Sequence, residues 1–528
     1  MHSPLAQWLA SSLGGNRKKT GQLNTNGTQI VSLIPVRISF VFLLATLLGL
    51  NCPTEAGAQE RSVLTYHGDT SRSGNLVVPL LTWERARSVH LDRVFDGRVS
   101  GHIYAQPLYW HGSGSNSALL FVATEDNIVQ ALDAKTGKAV WRQSLGSPVP
   151  LSALPCGNIN PLGITGTPVI DEVTQAIYVD AAIEDQSGPR HQIFALSLKD
   201  GSTLEGWPID VANSLRAKGL VFNPRDQNQR AALTLLDDVL YVPFGGHFGD
   251  CGDYHGWVIA VPLHDPGKII SWQTRARGGG IWAPGGLSVF GHSLFAATGN
   301  TFGARGWSDG EAVWRLAPDL HRTEDKTDFF APSDWQVLDQ RDADLGATNP
   351  VPIDVPTTSG VQSLMLALGK DRRAYLLDRN NLGGIGGQLI SEIVSERSIL
   401  TSPAVYPADG GVYVAFRGEG TNCSTKDNGL TVLKIEAGSP PKMTTAWCGA
   451  LRGAGAPMVT TTDGHSNPIV WIVGAEGDNR LHAFGGDTGE PLLTGGEAMS
   501  GLRRFQTLIA AEDRLYVAAD GRIYAFSF

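Results

Sequence analysis

Cysteine is scarce, 5 in 528 residues, and no two are adjacent or spaced Cys-x-x-Cys, which leaves a zinc ribbon or a dithiol redox motif without support. Long apolar runs are missing too. The most prominent, Ile38 to Leu50, has 13 residues, short of the roughly 20 that a membrane-spanning helix needs, and no later run is long enough. Basic residues are in deficit, 42 Lys and Arg against 51 Asp and Glu, which argues against a nucleic-acid partner. Methionine is rare at 5. Against these shortages stand 63 glycines and 42 % hydrophobic residues, the balance of a globular, helix-poor chain with an ample core.

The first 58 residues are a different kind of sequence. Arg17, Lys18, Lys19 and Arg37 precede the apolar run and Ala56-Gly57-Ala58 follows it, the order of a secretory signal peptide cleaved after Ala58. Leu50-Asn51, rather than a small residue, precedes Cys52, which argues against lipidation there. Residues 59–528 are then expected to form one exported domain, periplasmic or secreted. The segment carries four basic residues and one acidic one, so its loss takes the net charge from −9 to −12. Cys156, Cys251, Cys423 and Cys448 remain, an even number in an oxidising compartment, and two disulfides are expected. Their places in the repeat described next favour Cys156 with Cys251, across adjacent units, and Cys423 with Cys448, within one. Other pairings stay open from sequence alone.

An opening strand, often carrying proline, recurs as Ala105-Gln106-Pro107, Gly166-Thr167-Pro168, Ala231-Ala232-Leu233, Trp282-Ala283-Pro284, Asn349-Pro350-Val351, Ser402-Pro403-Ala404, Ala456-Pro457-Met458 and Phe505-Gln506-Thr507. That makes eight units of about fifty residues. Each is followed by a second apolar strand that stops in polar or glycine residues, as in Phe295-Ala296-Ala297-Thr298-Gly299-Asn300. Four antiparallel strands per unit, repeated radially, predict an all-β, eight-bladed β-propeller. The last unit ends at Phe528 after its third strand, so Val89 to Val99 is expected to supply the missing outer strand and close the ring. Trp141, Trp207, Trp272 and Trp447, at similar places on outer strands, are expected to be packing anchors between blades.

The unit Val129 to Trp141, Val-Gln-Ala-Leu-Asp-Ala-Lys-Thr-Gly-Lys-Ala-Val-Trp, resembles the repeat of the quinoprotein alcohol dehydrogenases, the PQQ-type propellers. The resemblance spans the chain beyond the signal segment. A more specific match is Gly278-Gly279-Gly280-Ile281-Trp282 followed by Thr298-Gly299-Asn300. It implies that Trp282 is the plane on which PQQ lies and Asn300 a calcium ligand. By the same resemblance Lys370 would contact the quinone oxygens, and Asp334, in Ser333-Asp334-Trp335, would be the catalytic base, with Asp342 and Asp344 competing for that role. Substrates would be alcohols or sugars.

Several features depart from that family. No vicinal disulfide is present, Ala181-Ala182 standing at one candidate position. The metal-binding Glu of the preceding blade has no clear counterpart; Asp250 or Asp253 is left to replace it, and His247 and His255 are further metal-binding candidates. No haem-attachment motif occurs, so an electron acceptor would be a separate molecule. These departures keep open a non-catalytic propeller that binds a protein or glycan. In either case Trp282, Asn300, Asp334 and Lys370 are expected on one face, near the axis.

Overall fold

Alternating apolar residues make each repeat one small antiparallel sheet, and eight such sheets follow one another along the chain. The computed structural model describes residues 62–112, 118–424 and 428–528; the expected signal segment and Cys52 lie outside the described residues. In blade 1, Leu108–Trp110, Leu119–Ala123, Ile128–Asp133 and Ala139–Ser144 pair in sequence order, each antiparallel to the next. Blades 2 to 8 have their first strands at Val169–Asp171, Thr234–Leu236, Ser288–Phe290, Val351–Thr357, Ala404–Ala408, Met458–Thr461 and Leu508–Ala511. This is the expected eight-bladed propeller. The proline segments lie just ahead of these strands rather than inside them, as Pro107 does before Leu108 and Pro457 before Met458. Proline has no N–H to give to a ladder, which suits it to these approaches.

The ring closes as expected. Blade 8 has three strands of its own, the last being Arg522–Ser527, and His90–Leu91 adds the outer one, with His90 opposite Ser527 and Leu91 opposite Phe526. Between blades, the Trp141 indole N–H donates to the Leu198 carbonyl at 3.0 Å and that of Trp447 to the Gly486 carbonyl at 2.7 Å. Trp272 and Trp314 meet with ring centroids 5.3 Å apart. Trp207 is the exception among the expected outer-strand anchors: it lies in the turn before Ile209–Asp210, against Tyr178. Both expected disulfides are present, with Cα separations of 6.0 Å for Cys156–Cys251 and 5.9 Å for Cys423–Cys448. Each closes a loop and contributes about 2–4 kcal/mol.

The sequence did not foretell what residues 63–78 do. They cross the ring beneath the axis and pair with the free edges of the innermost strands. Val63 bridges Tyr109 of blade 1, and the carbonyls of Leu64, Thr70, Ser73 and Gly74 accept from Ile170, Val289, Val405 and Val459 of blades 2, 4, 6 and 7. Asn75–Val77 then runs parallel to Met458–Thr461. Arg72, fully buried, fastens this plug. Its guanidinium donates to the carbonyls of Tyr66, Leu233 and Leu287 and to the hydroxyls of Thr65 and Thr234, at 2.5–3.0 Å. Burial pulls its pKa down to about 10, with Asp69 opposing, so it stays charged at neutral pH.

Candidate functional site

The turns after each second strand and the approaches to each first strand emerge on one face, opposite the plug. A cavity of about 260 Å³ opens there near the axis. A larger groove of about 470 Å³ lies at the other rim, between the plug and Ala510–Asp513, and holds none of the expected site residues. The smaller cavity is the candidate site because ionisable groups from several blades converge on it.

One wall is Trp282, Asp342, Asp344 and Lys370. Trp282 reaches it because the chain before it packs close: a Cβ on Gly278 would stand 2.5 Å from the Asn300 carbonyl oxygen, and its φ of +90° suits glycine. The Lys370 ammonium sits 2.7 Å from Asp344 Oδ2, 2.7 Å from Asp342 Oδ1 and 5.3 Å from the Trp282 ring centroid. The Trp282 indole N–H donates to Asp344 Oδ2 at 3.2 Å, and the Asn300 backbone N–H donates to Oδ1 at 3.1 Å. Asp344 is 3 % exposed and Asp342 64 %. Asp344 is therefore the anchor of the wall and Asp342 its accessible carboxylate.

Not every expected residue reaches the cavity. Asn300 lies behind Asp344, buried, and is not part of the lining. Asp334 is exposed at the start of the short helix Trp335–Arg341 and also lies off the lining. Asp250 lines the cavity and accepts from the Tyr254 hydroxyl at 2.6 Å. His247 lines it as well, but burial lowers its pKa to about 4, and one ring nitrogen is 3.0 Å from the Arg225 carbonyl. Asp253 and His255 are elsewhere, engaged with Asp226 and the Thr274 carbonyl.

Calcium does not fit this arrangement. Among the described residues no group of three or more His, Cys, Asp or Glu side chains is placed to hold a metal ion. Asp342 and Asp344 already share a cation, Lys370, and both oxygens of Asp344 are engaged by donors. Besides Trp282 and Lys370, the cavity is lined by Arg230 and Arg504.

Three contributors escaped the sequence reading because nothing local marks them. Asp339 accepts from the Thr301 N–H and hydroxyl, both at 2.8 Å, tying the helix to the Asn300 loop. Glu311, fully buried, accepts from the Leu345 N–H at 2.6 Å; burial, then Asp344, pushes its carboxyl well above the usual range. Glu125, after the second strand of blade 1, accepts from the Gly163 N–H at 2.7 Å. Burial raises its pKa from 4.5 to about 7, against the opposing pull of Gly163, Thr165 and Arg230.

Glu125 has a measurable consequence. A carboxyl whose folded pKa is raised contributes stability that is fully present below its unfolded pKa and is lost as pH rises through the folded one. Between about pH 4.5 and 7, Glu125→Gln should remove a downward slope worth on the order of 2–3 kcal/mol from the urea-unfolding profile. Identical slopes in the two proteins would clear Glu125 as the source.

No protein-family model and no curated protein matches this chain. Solved structures do. The propeller is similar to a quinohemoprotein alcohol dehydrogenase from Comamonas testosteroni, with a TM-score of 0.60 at 13 % identity over 88 % of this chain and 80 % of that one. A second such enzyme, from Pseudomonas putida, gives 0.62 at 13 % identity over the same shares, 88 % and 80 %. A europium-containing methanol dehydrogenase gives 0.61 at 13 % over 88 % of this chain and 90 % of that one. At such identity the likeness is one of fold.

Proposed function

We propose that the chain is an exported propeller whose axial cavity binds PQQ or a closely similar planar quinone, and that it oxidises an alcohol or sugar. The signal-like segment 1–58 and the two disulfides support export. The observation that carries the binding reading is the wall in which Lys370 stands over Trp282, held by Asp342 and Asp344.

When bound, the quinone would supply a two-electron acceptor, which a separate molecule must later reoxidise. Trp282 orients the ring, Lys370 faces its oxygens, and Asp344 holds both of these side chains in place. Asp342 is the carboxylate exposed to a substrate hydroxyl and takes its proton. Binding should not depend on calcium.

The ammonium within the acidic pair favours a second reading, a non-catalytic propeller that binds a protein or glycan. Titrating the purified protein with PQQ, with and without calcium, and measuring quinone retained after gel filtration separates the two. Trp282→Ala should abolish retention, while Asp342→Asn should keep the quinone and lose turnover. No retained quinone at high micromolar concentration sinks the enzyme reading, and retention that requires calcium sinks this account of Lys370.

A further inference from the structure

Arg230 lines the same cavity as Trp282. Lys370 shares two carboxylates, and Arg504 is 2.8 Å from Glu476, but among the described residues the Arg230 guanidinium makes no hydrogen bond and no ion pair. Glu125 attracts it from beyond ion-pair distance and keeps its own proton up to about pH 7. The Phe505 ring lies beside it, with the centroid 5.6 Å from Cζ. Phe505 has φ of +70°, uncommon for an aromatic residue, and its N–H is tied to the Ala454 carbonyl at 2.8 Å. The strained backbone thus holds a flat apolar ring beside an unneutralised cation, and Leu400 and Phe248 add apolar lining. A partly desolvated guanidinium without an acceptor is costly, and its planar fork matches a carboxylate.

We infer that Arg230 and Phe505 form a subsite for an aromatic carboxylate, the carboxylate on the guanidinium and the ring against Phe505. This rests on the small-molecule reading of the cavity, but not on the quinone. Calorimetric titration of the full chain with benzoate and with benzamide, its neutral isostere, tests it. Benzoate should bind at least about tenfold more tightly than benzamide. Arg230→Gln should erase that preference, and Arg504→Gln, which removes the guanidinium already paired with Glu476, should preserve it. Inorganic phosphate should not displace benzoate, because it lacks the ring.

Equal affinities, a preference that survives Arg230→Gln, displacement by phosphate, or no benzoate binding up to about 10 mM each overturn the inference. Should Arg230→Gln fail to fold, the wild-type comparison of benzoate with benzamide decides alone. A benzoate preference without PQQ retention leaves this subsite standing and removes the quinone; the reverse removes the subsite alone.

Discussion

Arg72→Ala should lower the unfolding free energy by about 4–5 kcal/mol, a large share of a protein's usual margin. The guanidinium is fully buried and joins the plug to blades 3 and 4 through Leu233, Thr234 and Leu287. Truncation forfeits charge-assisted hydrogen bonds and leaves carbonyl and hydroxyl acceptors from separate blades without their donor. The plug also covers the innermost strand edges, so loosening it exposes unpaired backbone along the axis. Arg72→Lys keeps the charge but lacks the planar fork and should recover only part of the loss. Urea unfolding followed by tryptophan fluorescence measures this. A change below about 1 kcal/mol would show that the plug is held by its backbone pairing and not by Arg72.

Lys370→Met should cost about 3 kcal/mol at neutral pH, because breaking a buried ion pair from one side strands the other charge. Asp344 is the stranded partner, at 3 % exposure; Asp342, at 64 %, loses little. Burial already pushes the Asp344 carboxyl up, and Lys370 is what restrains it. Without the ammonium its folded pKa climbs further above the unfolded value. The stability that a raised carboxyl contributes is fully present below the unfolded pKa and is lost as pH rises through the folded one. The deficit of the variant should therefore be smallest near pH 4 and grow toward pH 8, about one unfolding series at each pH being enough to see it. A deficit that does not vary with pH would mean that Lys370 acts through packing of its aliphatic stem.

Much of the architecture was legible before any coordinates. Proline-led segments at a regular period count the blades, and a last unit that stops after three strands calls for an N-terminal strand, which His90–Leu91 supplies. The cysteine pairs followed from the same register, since each pair falls where its loops share a face. Trp282 and Lys370 were named through a family resemblance and expected on one face, where they meet.

Other features had no trace in the chain's pattern. Asn300 and Asp334 were named through a family motif, yet neither lines the cavity: the Asn300 N–H is held by Asp344, and Asp334 sits exposed at the start of the Trp335–Arg341 helix. The plug, the raised Glu311 carboxyl and the placement of Arg230 beside Phe505 depend on contacts between residues far apart in sequence. Strand periodicity, turns and blade count arise from neighbours along the chain, so the sequence alone determined them. Which charge meets which, and which cation takes the centre of the acidic pair, is set only when eight blades bring their loops to one axis, because burial and Coulomb energy depend on distance in space and not on distance along the chain.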